Sequence, residues 1–292
     1  SRYVPNNVVL SIAGDVDAAE ILSHLELLVE DLKSRPLNRE PIPHEPHQFG
    51  SRRVRKEFAV PYSKLHLAWR LPCSAHPDTP ALSALSSILG GGRSARFYEK
   101  FHDRLGLVYS IEVHSNQSET DEGAFTISMD VDRAQRDKVR DLVLQELRNL
   151  AEEDFTEDLK RVCKQTRVSR LRRRSSASGV ASEMGADWFG SRNLNLSSEW
   201  QEAIERVTTE DLHRVCSTWL SSPNVTEVSL DPPGSNAGDE ERASASAGTA
   251  LSEHVLGNGM KVVIREDHRL PLAYACMAFK AGCRAENEHD AG

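Results

Sequence analysis

The sequence has few cysteines and no long apolar run, and these two absences exclude several classes of protein. Five cysteines occur among 292 residues, and no two of them form a Cys-x-x-Cys pair. Neither a zinc finger nor a disulfide framework is therefore indicated, and small buried side chains are the simplest interpretation. Apolar runs such as Val8–Ile12, broken by Ser11, are far shorter than the ~20 residues that span a bilayer, so we expect no membrane span. The cysteines are Cys73, Cys163, Cys216, Cys276 and Cys283.

The sequence also lacks an excess of positive charge. Its 36 lysines and arginines are outnumbered by 44 aspartates and glutamates, which gives a formal net charge of −8. Nucleic-acid binding is not expected, because affinity for phosphates comes from clustered positive charge. The chain begins at Ser1 with a polar segment, so no signal peptide is visible. We interpret it as a fragment of a longer soluble protein, whose compartment the sequence does not predict.

Common catalytic motifs are missing as well. Neither His-Glu-x-x-His nor His-x-x-Glu-His occurs, although two histidines one helical turn apart are what a zinc peptidase requires. The stretch His44–His47 has the wrong spacing and contains Pro46, which would break the helix, and His289-Asp290 lacks a partner. No nucleophile elbow, Walker loop or dinucleotide fingerprint is present. We therefore predict no catalytic residue and no metal ligand within this chain.

What the sequence does contain is a series of strand and helix patterns that predicts an α+β domain. Alternating apolar residues predict strands at Leu65–Trp69, Leu107–Val113 and Phe125–Val131, the last two as an antiparallel pair. Apolar residues at three- and four-residue spacing predict helices, including one from Asp17 with a buried stripe. This order favours a mostly antiparallel sheet with long helices packed on one face. Further strands are predicted at 8–13 and 225–230, and further helices at 82–89, 94–104, 133–152, 156–174 (capped by Thr156) and from Thr208.

Composition changes abruptly after this domain, which we assign to residues 1–231. Residues 232–252 open with Pro232-Pro233-Gly234 and are rich in small and polar side chains, which is typical of a flexible linker. A hairpin with an Asn258-Gly259 turn follows, and then a strand at Leu272–Ala281. Residues 253–292 are too few to bury a core of their own. We interpret them as the truncated start of a second domain.

Two further stretches have more than one interpretation. A basic run extends from Lys160 to Arg174, and it is either a solvated helix face or a docking surface for an acidic partner. The stretch Gly90-Gly91-Gly92-Arg93-Ser94 joins two predicted helices, so it lacks the strand-then-helix context of a phosphate loop. Together with Tyr109, which enters a strand, it is a candidate pocket edge.

Four passages together resemble the pitrilysin/insulinase-like family of zinc peptidases, which includes the mitochondrial processing peptidases. Their order, a non-metal-binding subdomain, a linker and the start of a metal-binding subdomain, is similar to that of family members built from two halves. The resemblance covers most of the 292 residues. The passages are Tyr3–Leu10 ending in Gly14-Asp15-Val16-Asp17, Leu89–Tyr98 with Gly106–Tyr109, Asn258–Pro271, and Ala281–Glu286 followed by Ala291-Gly292.

The resemblance implies a set of substrate-binding residues and a metal centre outside this chain. The zinc motif His-x-x-Glu-His is expected after Gly292, so Zn²⁺ belongs to the parent protein and none is expected in this fragment. The family has an arginine seven residues before its substrate-binding tyrosine, but His102 stands seven residues before Tyr109. A histidine offers fewer donors than a guanidinium, and Arg104 is not an obvious substitute. The implied substrate-binding residues are Tyr109, His102, Gly90, Gly91, Gly92, Arg93 and Arg96.

The resemblance implies two functions of different classes. In the first, the chain is part of a zinc metalloendopeptidase that encloses and cleaves peptides or unfolded proteins. This region would then bind substrate and pack against the other half of the same chain or a homologous subunit. In the second, it is a non-catalytic structural or partner homologue, which the histidine at position 102 favours. The fragment alone is expected to lack peptidase activity in both cases.

Overall fold

The computed structural model describes residues 4–37, 48–117, 122–220, 224–233 and 251–265. The predicted strand at Leu272–Ala281, the His289-Asp290 pair, the His44–His47 stretch and most of the predicted linker lie outside these residues. The chain divides into two compact units, Ser1–Glu57 with Tyr62–Asp231, and Phe58–Pro61 with Pro232–Gly292. The assignment of residues 1–231, 232–252 and 253–292 to two domains and a linker stays a prediction. No helix in the described ranges is both long enough and apolar enough to cross a membrane.

The first unit is built around a five-stranded sheet. Its strand order is β1-β5-β2-β4-β3, and three of the four neighbouring pairs are antiparallel, as predicted. The exception is β1, which runs parallel to β5, so the sheet is mixed. No periodicity predicted β1, because its sequence is basic and all six of its residues are exposed. The strands are β1 Arg52–Glu57, β2 Ser63–Leu71, β3 Val108–Asn116, β4 Gly123–Val131 and β5 Thr226–Asp231.

The core lies against one face of this sheet. On β2, Leu65, Leu67, Trp69 and Leu71 are all buried, whereas the side chains between them are half-buried. The buried set packs with apolar side chains of the helices, which agrees with the predicted one-sided α+β arrangement. The helices are α1 Ala18–Val29, α2 Thr79–Gly90, α3 Arg136–Asn149, α4 Thr156–Arg174, α5 Ala177–Ser191, α6 Leu196–Glu205 and α7 Thr209–Val215, with π-helical turns at Tyr98–Arg104 and Cys216–Leu220.

Two predicted helix starts had different outcomes. Thr208 accepts from the backbone N–H of Asp211, whose carboxylate accepts from Thr208 in return, so the predicted capping box of α7 is confirmed. Thr156 is not the N-cap of α4, contrary to prediction. Asp154, two residues earlier, accepts hydrogen bonds from both the backbone N–H and the hydroxyl of Thr156, so the carboxylate provides the cap contact.

The predicted strand at Val8–Ala13 is wrong. These residues are extended, but no strand in the described ranges pairs with them. Ser11 instead donates its hydroxyl to the carbonyl of Ala181 at 2.6 Å, and a Cβ added to Gly185 would lie 2.8 Å from Ser11 Oγ. The segment therefore runs closely along α5, because an apolar β-rich sequence favours extended backbone without specifying a neighbouring strand.

The helix predicted from Asp17 is present, but its burial was predicted wrongly. Asp17 caps α1 by accepting from the backbone N–H groups of Ala19 and Glu20, both at 2.9 Å. None of the residues of α1 is buried, and Leu28 is 78% exposed. The apolar spacing predicted the helix correctly, but within the described ranges only Ile21 and Leu25 of its apolar stripe are half-buried and the rest is exposed.

The described strands of the second unit form a small hairpin, as predicted. β6 (Leu251–Val255) pairs antiparallel with β7 (Lys261–Arg265). Gly259 has a φ of +83°, which glycine adopts without strain, and its N–H donates to the carbonyl of Leu256 at 2.8 Å. The side chain of Asn258 accepts from the backbone N–H of Met260 at 3.1 Å, so the Asn-Gly pair forms the turn that the sequence indicated.

Candidate functional site

Tyr109 stands at an irregularity in the sheet. The pairing of β3 with β4 shifts between Val108, which faces Val131, and Ser110, which faces Asp130. Tyr109 is therefore the extra residue of a β-bulge, and a bulge re-aims the side chain that it carries. The side chain is 46% exposed although its neighbour Val108 is buried.

The ring and the hydroxyl of Tyr109 are both held in place. The hydroxyl donates to Asp132 Oδ1 at 2.9 Å, and the ring lies 3.9 Å from that of Tyr62 at an interplanar angle of 33°. A phenol has a single proton to donate, whereas its oxygen can still accept. With that proton given to Asp132, the oxygen is suited to accept a hydrogen bond from a ligand N–H. It is less suited to donate to a developing oxyanion.

His102 lies on the π-helical turn Tyr98–Arg104, a backbone form that is frequent at functional sites. Its ring stacks on Tyr98 with centroids 4.4 Å apart. Nδ1 lies 2.7 Å from Asp103 Oδ1, and because a carboxylate only accepts, Nδ1 is the donor. Nε2 faces the Tyr98 hydroxyl at 3.5 Å. The ring of His102 is therefore fixed by two neighbours on its own helical turn.

A short turn joins this helical segment to β3. Gly106 has a φ of +58°, and the N–H of Leu107 donates to the carbonyl of Phe101 at 2.9 Å. His102 and Tyr109 therefore stand on either side of one turn. Arg104, which we considered as a substitute for the family's arginine, donates to Glu99 Oε1 at 2.5 Å.

Each of the three glycines in Gly90–Gly92 has a different structural role. A Cβ at Gly90 would lie 2.6 Å from both the backbone nitrogen and the Cβ of Val113, so this glycine lets α2 approach β3. Gly91 caps α2, donating its N–H to the carbonyl of Ser87 at 2.9 Å. Gly92 has a φ of +103° and open space around it. Gly92 therefore presents backbone with open space in which a ligand could lie.

The two predicted arginines are in contrasting surroundings. Arg96 donates through Nε to Asp158 at 2.7 Å and through Nη1 to Glu153 at 3.1 Å, and its guanidinium lies 4.6 Å from the centroid of Phe155. These contacts fasten the loop to the start of α4. Arg93 is exposed and has no ion pair within the described ranges. Of the two, Arg93 is the one whose donors are available to a ligand.

Sequence reasoning missed the two residues that hold Tyr109. Asp132 directly follows β4, and in an antiparallel hairpin the end of the second strand lies beside the start of the first. The predicted pairing of 107–113 with 125–131 therefore contained the signal for Asp132. Tyr62 precedes β2, and no local pattern pointed to its stacking on Tyr109.

The described residues do not offer a metal centre. No group of three or more histidine, cysteine, aspartate or glutamate side chains converges in the ranges that the structure describes. Burial raises the pKa of Cys216 to about 12, so its thiol is a poor candidate for a nucleophile or a metal ligand. The donor set therefore does not fit a zinc ion, and we assign no step through a metal to these residues.

A family model described as "Peptidase M16 inactive domain" matches residues 1–165, more than half of the chain. The chain belongs to the peptidase M16 family. The resemblance to pitrilysin- and insulinase-like peptidases is thereby confirmed. A curated relative, the zinc protease PqqE of Helicobacter pylori, is 24% identical over 238 residues, which cover 79% of this chain and 52% of that protein.

Solved structures agree with this M16 fold. A protease from Helicobacter pylori matches with a TM-score of 0.68 at 24% identity, covering 75% of this chain and 54% of that one. The M16 inactive domain from Pseudomonas fluorescens matches with a TM-score of 0.63 at 20% identity, covering 76% and 52%. The chain spans about half the length of the curated relatives that it matches.

Proposed function

We propose that this M16 chain holds the substrate of a zinc metalloendopeptidase that encloses and cleaves peptides or unfolded proteins. Membership of the family supports a peptidase, and the names of the relatives support zinc in the longer protein. The observation that carries the proposal is the bulged, exposed Tyr109, anchored by Asp132 and Tyr62 at the end of an edge strand. A side chain exposed and fixed in this way is prearranged for a ligand.

The geometry favours an extended peptide as that ligand. Among the described strands, β3 lies at one edge of the sheet, and an edge strand can add a peptide through backbone hydrogen bonds. The Tyr109 oxygen would accept from a peptide N–H, and Arg93 would donate to carbonyl oxygens. His102, whose Nδ1–H is given to Asp103, would help to position the peptide as an acceptor through Nε2. Gly92 would let the backbone of the peptide approach the loop. Arg96 contributes indirectly in this scheme, by fixing the loop to α4.

The metal ligands and the catalytic base would belong to other parts of the longer protein. This region would then provide substrate binding and a packing surface for the other half or for a homologous subunit. The residues after the linker, which resemble the start of a metal-binding subdomain, support this two-halved organisation.

One observation favours a second function for the chain. His102 occupies the place where the family has an arginine, and a guanidinium can hold peptide carbonyls with several fixed donors. A chain that binds peptides weakly, or only its partner subunit, would be a non-catalytic homologue. Cleavage of a quenched peptide by the longer protein, blocked by a chelator, would favour the enzyme, and its absence would favour the homologue.

The binding role is tested with the 292-residue chain itself. We expect Tyr109→Phe to weaken binding of a neutral, unstructured fluorescent peptide by about threefold to tenfold, because one hydrogen bond contributes about 0.5–1.5 kcal/mol. The matched control is Glu112→Gln, an exposed position on the same strand. Fluorescence anisotropy gives both dissociation constants. Equal affinities for Tyr109→Phe, Glu112→Gln and the parent sequence would contradict the proposal.

A further inference from the structure

A cavity of about 800 Å³ opens between helices α2, α4, α5 and α6 of the first unit. Neither Tyr109, His102 nor any residue of Gly90–Gly92 lines it. Its volume is within the range of about 300–1,000 Å³ that is usual for ligand sites. The cavity is therefore a separate candidate site that the proposed function does not use.

One wall of the cavity is a buried ion cluster. The side chain of Glu183 is only 4% exposed, and its Oε1 accepts from Arg170 at 3.0 Å and from Arg174 at 2.8 Å. Burial alone would raise the pKa of Glu183, but hydrogen bonds from the two arginines outweigh it and lower this pKa. Arg170 also donates to Ser198 and Gln201 on α6, so its position is fixed. The two arginines hold Glu183 through Oε1 alone, and its Oε2 is buried without a hydrogen-bond partner in the described ranges.

Arg173 is the exception in this wall. It lines the cavity, is exposed, and makes no ion pair within the described ranges. The other basic side chains of α4 are largely paired, for example Arg161 with Asp158 and Arg167 with Glu205. Most of the basic run is therefore a salt-bridged helix face, whereas Arg173 is exposed at the cavity without an ion pair in the described ranges.

The lining pairs this cation with apolar and amide surface. Trp200 and Leu196 provide apolar area, and Gln201 and Gln165 provide amide groups. A guanidinium has donors spaced to hold a carboxylate with two parallel hydrogen bonds. We infer that the cavity binds an acidic peptide segment, with a carboxylate on Arg173 and an apolar side chain against Trp200. This inference rests on the proposed function, for which the cavity is a second anchor for peptide substrates.

The test compares an acidic fluorescent peptide containing glutamate and leucine with its glutamine counterpart, using the 292-residue chain. We expect the acidic peptide to bind about tenfold more tightly, and Arg173→Gln to remove most of that preference. Arg172→Gln is the matched control, because this neighbour carries the same charge but does not line the cavity. A similar loss in both variants would indicate general attraction to the helix and would overturn the inference, as would no loss in either.

A second variant tests whether the acidic peptide binds in the cavity itself. Ser169 lines the cavity and is exposed, so Ser169→Trp is expected to fill the space without unfolding the chain and to abolish acidic-peptide binding. Unchanged binding in this variant would overturn the inference. Tyr109→Phe is expected to leave the preference for the acidic peptide unaltered, so failure of the cavity and failure of the Tyr109 site are read from different variants.

Discussion

The sheet core and the amino-terminal segment 4–37 carry equally clear apolar patterns, yet they differ in burial. Leu67 on β2 is fully buried, whereas Leu28 near the end of α1 is 78% exposed. The apolar side chains of β2 are covered by helices, whereas the apolar stripe on α1 is mostly exposed in the described ranges. Periodicity therefore predicts an element and the face that is apolar, and it does not predict what packs against that face.

The largest expected effect comes from truncating one leucine in each region. Leu67→Ala is expected to lower the free energy of unfolding by about 2–5 kcal/mol, because it leaves a cavity in the core. Leu28→Ala is expected to change it by less than about 0.5 kcal/mol, as is usual for exposed positions. Urea unfolding of both variants measures the difference. Equal losses would mean that the stripe on α1 is covered after all.

A smaller effect is expected for two glycines of the Gly90–Gly92 loop. A Cβ at Gly90 would meet backbone and side chain of Val113 at 2.6 Å, so Gly90→Ala should cost about 1–3 kcal/mol by overpacking. Gly92→Ala has space but a positive φ, and should cost about 1 kcal/mol. Thermal or urea unfolding ranks the two variants. A larger loss for Gly92→Ala would show that α2 can move away from β3.

The third expected effect concerns the pH dependence of stability at Asp78, the acid that precedes α2. Asp78 accepts from Trp219 Nε1 at 2.9 Å and pairs with Arg214. Burial alone would raise the pKa of Asp78, but hydrogen bonds from Trp219 and Arg214 outweigh it and lower this pKa. The stabilisation is therefore complete above the unfolded pKa of about 4 and is lost as the pH falls through the lower folded value.

Asp78→Asn tests this assignment. The variant is expected to lose about 1–2 kcal/mol near neutral pH and to show a weaker loss of stability on acidification than the parent chain. Urea unfolding at several pH values from neutral to about 3 measures both. Parallel pH profiles for the two proteins would assign the acid sensitivity to other carboxylates.

Much of the first unit could be predicted because its signals are local. The alternation on β2, β3 and β4 and the capping box at Thr208 each lie within a few residues of sequence. Contacts between distant parts of the chain carry no such signal. Arg96 meets Asp158 across 62 positions, and Ser11 meets Ala181 across 170, so no short pattern could have revealed either pair. The contact of Asp132 with Tyr109 is an intermediate case, because it is not local in sequence but the predicted hairpin placed the two residues side by side.

The position of β5 has a consequence for the order in which the chain folds. This strand lies between β1 and β2, although Glu227 on β5 and Arg53 on β1 are 174 positions apart. During synthesis, β1 has no partner in the sheet until β5 has been made. Contacts of such long sequence separation slow folding and leave strand edges open to other chains. The last strand of the first unit therefore sets the moment at which its sheet is complete.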